Sequence, residues 1–184
     1  VVVVTMLFMR VILDNIRSLH NVGSIFRTAD AVGIEKIYLC GITSEPTDRF
    51  GKLRGDFAKT ALGAEKTVSW EKVSLTWRCI EKLKKEGFFV IALEQSLRAQ
   101  NLFTTNLSKF NFDRLVLVVG NEVKGASGAV LDRADVVLEI PMVGKKESLN
   151  VAVAFGVAAY TLKYYIVSTQ VIRSSSGGSQ VLSL

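Results

Sequence analysis

One histidine, two cysteines and two prolines among 184 residues are unusually few, and each scarcity removes a class of protein. With His20 alone and no paired-cysteine spacing, these residue types cannot assemble a four-ligand zinc set. Serine–histidine–aspartate chemistry would have to use His20, and no Gly-x-Ser-x-Gly turn accompanies it. Cys40 and Cys79 are too few for a disulfide framework and read as buried thiols in a reducing compartment. Low proline and 49% apolar residues exclude a linker, a fibrous chain or a disordered one. No apolar run approaches the ~20 residues that a membrane span needs. The longest, Val151 to Tyr160, gives way to Thr161 and Lys163. The N-terminal VVVVTMLFM is followed by Arg10, with no small-residue cleavage site, so no signal peptide is expected. A cytosolic globular protein is left, with length for one domain and a sizeable core.

What the chain does have is an excess of base. Lys and Arg number 23 against 17 Asp and Glu, a net charge of +6. With a pI near 9.4, this fits a polyanionic partner without requiring one.

Runs rich in Val, Ile and Leu with little polar alternation predict strands at Met9–Leu13, Lys36–Cys40, Phe88–Leu93, Leu115–Val119 and Val136–Ile140. Such runs suit parallel strands covered on both faces. A further short strand is expected near Lys66–Val68. Helices are expected between them. His20 reads as a loop residue, and Asn21 as the cap of a helix that runs to Ala31 or Val32 and stops at Gly33. Asp56–Leu62 and Trp70–Glu86 read as two more helices. The last begins at Ser148, runs to about Val167, and is apolar nearly all round, so it should be buried. Alternating strands and helices predict an α/β fold with a mostly parallel sheet flanked by helices. The whole chain, 1–184, reads as a single domain with its core at about 9–167. Residues 1–5 and 170–184 read as tails, with SSSGG (174–178) disordered.

Three segments place glycine and polar residues where strands should meet helices, the edge at which open α/β sheets bind ligands. In the first, Asn21 to Arg27, Gly23 and Arg27 lie four apart on a helix, and the glycine lets another chain or a ligand approach the backbone. The bland alternative is a capped helix with an Arg27–Asp30 surface pair. In the second, Leu115 to Gly125, a buried strand ends in Gly120 and a loop follows with Glu122, which alone reads equally as a solvated carboxylate. It is neither a dinucleotide fingerprint nor a P-loop. In the third, Ile140 to Asn150, Ser148 and Asn150 stand at a helix start, where unpaired backbone N–H groups hold a carboxylate or phosphate. Capping by Ser148 is the simpler reading, and it leaves Asn150 unexplained.

Together, NVGSIFRTADAVG (21–33), VVGNEVKG (118–125) and IPMVGKKESLNVAVAFG (140–156) resemble the three motifs of the SpoU/TrmH branch of the SPOUT RNA methyltransferases. Their order and separations match, and the resemblance covers roughly Leu13 to Tyr160. Ala152 stands where many members carry serine, and Phe155-Gly156 replaces a commoner small-residue pair.

The resemblance implies a SPOUT-type fold whose C-terminal segment is tucked through a trefoil knot. It also implies a homodimer, with no membrane attachment and no metal, that transfers a methyl group from S-adenosylmethionine to a ribose 2′-hydroxyl of tRNA or rRNA. By position, Leu93, Gly120, Ile140 and Leu149 would contact the cofactor. Arg27 takes the catalytic role, serving the cofactor site of the partner chain, while Asn21 and Glu122 orient it and the substrate. Ser148 and Asn150 set the ribose and the third-motif loop. A guanidinium, with a pKa above ~12, makes a poor general base. Arg27 is better suited to grip a phosphate and stabilise a developing alkoxide. A catalytically silent RNA-binding module of the same fold would not need Arg27, Glu122, Ser148 and Asn150, and all four are present. A nucleotide-binding oxidoreductase would need the phosphate fingerprint that is missing. With few residues ahead of the first motif, no RNA-recognition domain is expected at the N-terminus, and docking is expected to fall to the core, helped by Arg49, Lys52, Arg54, Lys59, Lys145 and Lys146.

Overall fold

Seven stretches of chain pair into one sheet in the computed structural model, which describes residues 8–107, 110 and 113–176. They are β1 (Phe8–Asp14), β2 (Lys36–Cys40), β3 (Ser69–Val73), β4 (Phe89–Leu93), β5 (Gln100–Asn101), β6 (Arg114–Val119) and β7 (Val136–Glu139). The spatial order is β3-β2-β1-β6-β4-β7-β5, and every neighbouring pair is parallel. Parallel pairing requires crossovers, and helices supply most of them: α1 (Leu19–Val32), α2 (Gly55–Ala61), α3 (Thr76–Lys85) and α4 (Gly128–Leu131), while α5 (Val151–Ser176) follows the last strand.

Because side chains alternate across a strand, the continuous apolar runs feed two cores. Val11, Leu13, Ile37, Leu39, Leu115 and Leu117 face α1, α2 and α5. Ile12, Tyr38, Cys40, Val90, Val116 and Val118 face α3 and α4. Cys40 and Cys79 are both free and buried. A hydrogen bond with Cys79, together with burial, pushes the Cys40 thiol far up, so it stays protonated.

The helix boundaries correct the sequence reading at both ends of the functional region. Ser18, not Asn21, caps α1, its Oγ accepting from the Asn21 N–H at 3.2 Å. His20 therefore sits in the first helical turn, exposed, rather than in a loop. The far end is as expected, with Gly33 at φ +78° closing the helix. The expected helix Trp70–Glu86 divides into β3 and α3. Trp70, Val73, Trp77, Ile80 and Leu83 follow helical spacing, but Ser69–Val73 pairs in register with Lys36–Cys40. The short strand expected at Lys66–Val68 is displaced into β3, behind a 3-10 turn at Ala64–Lys66. Helix α5 starts at Val151, three residues later than Ser148, and continues through Ser176, beyond the expected end near Val167. The expected tail at 1–5 and the last residues of SSSGG lie outside the described residues.

Burial of α5 is one-sided, against the expectation of an enclosed helix. Phe155, Ala158, Ala159 and Leu162 are fully buried, whereas Val153, Tyr160 and Tyr164 are 52%, 41% and 70% exposed. Among the described residues, no helix is long and apolar enough to cross a membrane.

Gly23 is buried where α1 crosses α2, beside the edge-on contact of Phe26 and Phe57 at 5.2 Å. The segment that approaches its backbone is α2 of the same chain, not a ligand. A Cβ there would come within 2.9 Å of the Phe57 carbonyl oxygen and closer still to Thr60 Oγ1. Gly23→Ala should therefore destabilise the fold by about 1–3 kcal/mol of overpacking, which outweighs the ~1 kcal/mol gain in helix propensity. Urea denaturation measures the balance, and an unchanged or raised midpoint would refute the close packing.

Candidate active site

At the carboxyl edge of the sheet, β4, β6 and β7 end side by side, and the loops that follow them form a cleft. Strand β6 runs directly into Gly120, where a Cβ would collide with the backbone of Gly125 and Ala126. That approach exists because the next loop folds back on itself. Asn121 and Gly125 exchange backbone hydrogen bonds of 3.2 and 2.9 Å, and Gly125 takes φ +66°, a conformation glycine adopts without strain. The Asn121 Oδ1 accepts from the N–H groups of Val123 (2.9 Å) and Lys124 (3.0 Å), while its Nδ2 donates to the Asn15 carbonyl at 2.7 Å. At the end of β4, Glu94 Oε2 accepts from the Ala126 N–H at 2.6 Å, fastening this loop to the neighbouring strand.

The loop delivers Glu122 to the turn before α1. Its Oε2 accepts from the Arg17 N–H (3.2 Å), and its Oε1 from the Ser18 N–H (3.1 Å) and from Asn21 Nδ2 (3.3 Å). Glu122 is thus a structural acceptor, not a merely solvated carboxylate. Burial pushes its pKa up, but N–H donors from Glu122 itself, Ser18 and Arg17, with Asn21, outweigh that and hold it below the ordinary value.

Asn21 has a second partner. Its Oδ1 accepts from Asn150 Nδ2 at 3.0 Å, and Asn150 Oδ1 accepts from the N–H groups of Ala152 (2.9 Å) and Val153 (3.4 Å). Asn150 is therefore the cap of α5, the role expected of Ser148. Ser148 stands in the preceding loop and faces the cleft. Asn21, Glu122 and Asn150, drawn from three segments of the sequence, form one hydrogen-bonded chain.

The cleft holds about 200 Å3. Leu93, Gly120, Ile140 and Leu149 all line it, together with Glu122 and Ser148. Its ionisable lining is Glu94, Glu122 and Glu139, with no Lys, Arg or His among the described residues. The rest of the wall is apolar apart from the neutral polar residues Gln95, Asn121 and Ser148 and the glycines. Among the described residues no group of three or more His, Cys, Asp and Glu stands ready for a metal.

Arg27 lies elsewhere. It is exposed on α1, does not line the cleft of its own chain, and makes no ion pair with Asp30 or any other described residue. Lys145 and Lys146 are exposed in the loop between β7 and α5, and Arg49, Lys52 and Arg54 in the loop after β2. Lys59 sits on α2, paired with Asp56 at 3.2 Å. The sequence reading missed Glu94 and Asn121. A charged residue at the end of a buried strand, Glu94 after FVIAL, was the available signal.

The sequence profile of the SpoU rRNA Methylase family matches residues 8–160. The chain is 35% identical over 150 residues to the TrmH-family protein YacO of Bacillus subtilis, covering 81% of this chain and 55% of that one. It is 34% identical over 145 residues to the 23S rRNA (guanosine-2′-O-)-methyltransferase RlmB of Neisseria meningitidis, covering 79% and 54% respectively. The AdoMet-bound rRNA methyltransferase of Sinorhizobium meliloti superposes with a TM-score of 0.75 at 26% identity, covering 86% of this chain and 57% of that one. The chain thus spans about half the length of the curated relatives it matches.

The Glu122 bonds generate a pH test. A carboxylate held below its unfolded value, about 4.3, adds stability that is fully present above that pH and is lost as pH falls through the lower folded value. Wild type should therefore exceed Glu122→Gln in melting temperature at pH 7, and the gap should narrow as pH falls from about 5 towards 3. A gap independent of pH would remove the ionised carboxylate from the account.

Proposed function

The chain belongs to the SpoU rRNA Methylase family, and on that premise we propose that it transfers a methyl group from S-adenosylmethionine to a ribose 2′-hydroxyl of rRNA or tRNA. In this reading residues 1–184 are one SPOUT domain, with a trefoil knot at its C-terminal end, acting as a homodimer. The observation that carries it is the charge of the cleft, lined by Glu94, Glu122 and Glu139 with no basic side chain among the described residues. A sulfonium bearing an α-ammonium group is cationic and suits carboxylate walls, whereas the pyrophosphate of a dinucleotide would meet like charge. Leu93, Ile140 and Leu149 offer apolar surface for a purine ring.

S-adenosylmethionine supplies an already activated methyl group, so the chain is left to align the substrate and manage one proton. Asn21, Glu122 and Asn150 keep the first, second and third segments in fixed register, so that the substrate ribose meets a preorganised edge. Ser148, on the cleft wall, takes the ribose side of that edge. Arg27 grips the adjoining phosphate in a bidentate fork and stabilises the developing alkoxide, while the phosphate or water accepts the proton.

Arg27 lies outside the cleft of its own chain, which favours a partner's arginine at each site. The outer stripe of α5, with Val153, Tyr160 and Tyr164 at 52%, 41% and 70% exposure, is where that partner would sit. Val153→Glu should then yield a 20.2 kDa monomer by light scattering, with wild type at twice that mass. A wild-type monomer at assay concentration would sink the dimer.

Arg27→Ala should lower tritium transfer from labelled S-adenosylmethionine into bulk tRNA and rRNA by about 10²–10³-fold. Calorimetry should meanwhile show cofactor affinity unchanged. Arg27→Lys should rescue poorly, since an ammonium cannot reproduce the fork. Full transfer by Arg27→Ala would take the residue out of the mechanism.

A further inference from the structure

The loop after β2 carries a feature that neither the fold nor the cleft uses. Phe50 stands at its tip, 78% exposed. Leaving a phenylalanine in water forgoes burial that most of the other aromatic side chains obtain. The tip is not a loose excursion. Thr47 bridges to Leu53, and the Asp48 carboxylate accepts from the N–H groups of Phe50 (2.9 Å) and Lys52 (3.0 Å). Gly51, at φ +77°, donates back to the Asp48 carbonyl at 3.0 Å. The Arg49 guanidinium lies over the Phe50 ring, 4.7 Å from its centroid, and leaves most of the side chain open to solvent.

Around this ring runs a groove of about 680 Å3, to which Arg49, Arg54 and Lys72 contribute. Glu45 and Asp48 also line it, the second of them occupied with the turn. Exposed Lys52 adds a further cation beside the tip. The groove and the cleft are tied together through one turn of backbone. Ser44, on the groove wall, donates through Oγ to the Arg17 carbonyl at 3.0 Å, and the Arg17 N–H donates to Glu122 Oε2 at 3.2 Å. Arg17, itself exposed, thus belongs to the turn whose backbone bonds both the groove wall and the cleft carboxylate.

We infer that Phe50, backed by Arg49, is a stacking platform for an unpaired nucleobase of the RNA substrate, with Arg17 and Arg54 taking the flanking phosphates. The inference rests on the RNA-modifying reading above and adds to it the kind of RNA recognised. An aromatic face with a guanidinium beside it accepts any base by stacking, and neighbouring cations track the backbone, a combination suited to single strands. A duplex has no free base face to offer it. Because the Arg17 turn is bonded to both the groove wall and the cleft carboxylate, the stacked base belongs to a nucleotide near the methylated one.

The test uses the full chain and mixed-sequence RNA 12-mers carrying 2-aminopurine, single-stranded or in a duplex. Wild type should bind the single strand more tightly than the duplex and quench the 2-aminopurine. Phe50→Ala should weaken single-strand binding on the order of ten- to a hundredfold and abolish the quench. Phe50→Trp should preserve both. Because Phe50 is exposed, its variants should keep the wild-type melting temperature and the wild-type calorimetric response to S-adenosylmethionine. Equal single-strand affinity for Phe50→Ala and wild type overturns the platform and leaves the methyltransferase reading standing. Preference for the duplex does the same. If wild type binds neither RNA, with or without S-adenosylmethionine, the platform and the RNA-modifying reading fall together.

Discussion

Three segments that lie far apart along the chain meet at one carboxylate, that of Glu122. It receives two backbone N–H groups from the turn before α1 and the side-chain amide of Asn21, which in turn receives that of Asn150. The N–H groups at a helix start have no partner within the helix, so each must find one outside it. Here the acceptor comes from a loop more than a hundred residues away. The same bonds that satisfy those donors favour the ionised carboxylate, so the charge and the geometry of the cleft edge have one cause. Asn21 is available for this because Ser18 already caps α1, and Asn150 sets the direction in which α5 leaves.

The sheet imposes a second constraint. Two-sided burial uses nearly every apolar residue of the strands, with one face under α1, α2 and α5 and the other under α3 and α4. Helix α5 is more apolar than its one-sided seat in the chain requires. The apolar area left open on its outer stripe, at Val153, Tyr160 and Tyr164, keeps part of its hydrophobic free energy unrealised within the chain. The stacked pair Tyr160 and Tyr164, ring centroids 6.2 Å apart, belongs to that stripe.

Net charge describes this molecule poorly, because acid and base are sorted by place. The cleft is lined by carboxylates, while the loop after β2 and the loop before α5 carry exposed Arg and Lys. Such sorting suits a protein of this family, in which a cationic small molecule and a polyanion would have to meet at adjoining surfaces. A uniform basic surface would attract the polyanion and repel the cation.

Local pattern was enough for much of this. Five of the seven strands were legible as Val-, Ile- and Leu-rich runs, because burial on both faces leaves an unbroken apolar signature. Gly33 marked a helix end because few other residues adopt its left-handed conformation. The three polar segments pointed to one edge of the sheet, and the structure brings Leu93, Gly120, Ile140 and Leu149 into a single cleft there. Where one pattern serves two structures, only the tertiary pairing decides. Trp70 to Leu83 keeps helical spacing throughout, yet β2 offers a free edge and draws Ser69–Val73 into the sheet. Gln100 and Asn101 have no strand signature and become β5 only because β7 lies beside them. Gly23 and Ser148 were read by their nearest neighbours in sequence, whereas the packing of α2 and the cap at Asn150 assign their places. Periodicity reports which face of an element is apolar. It carries no information about which partner, a hundred residues away, supplies the missing hydrogen bond.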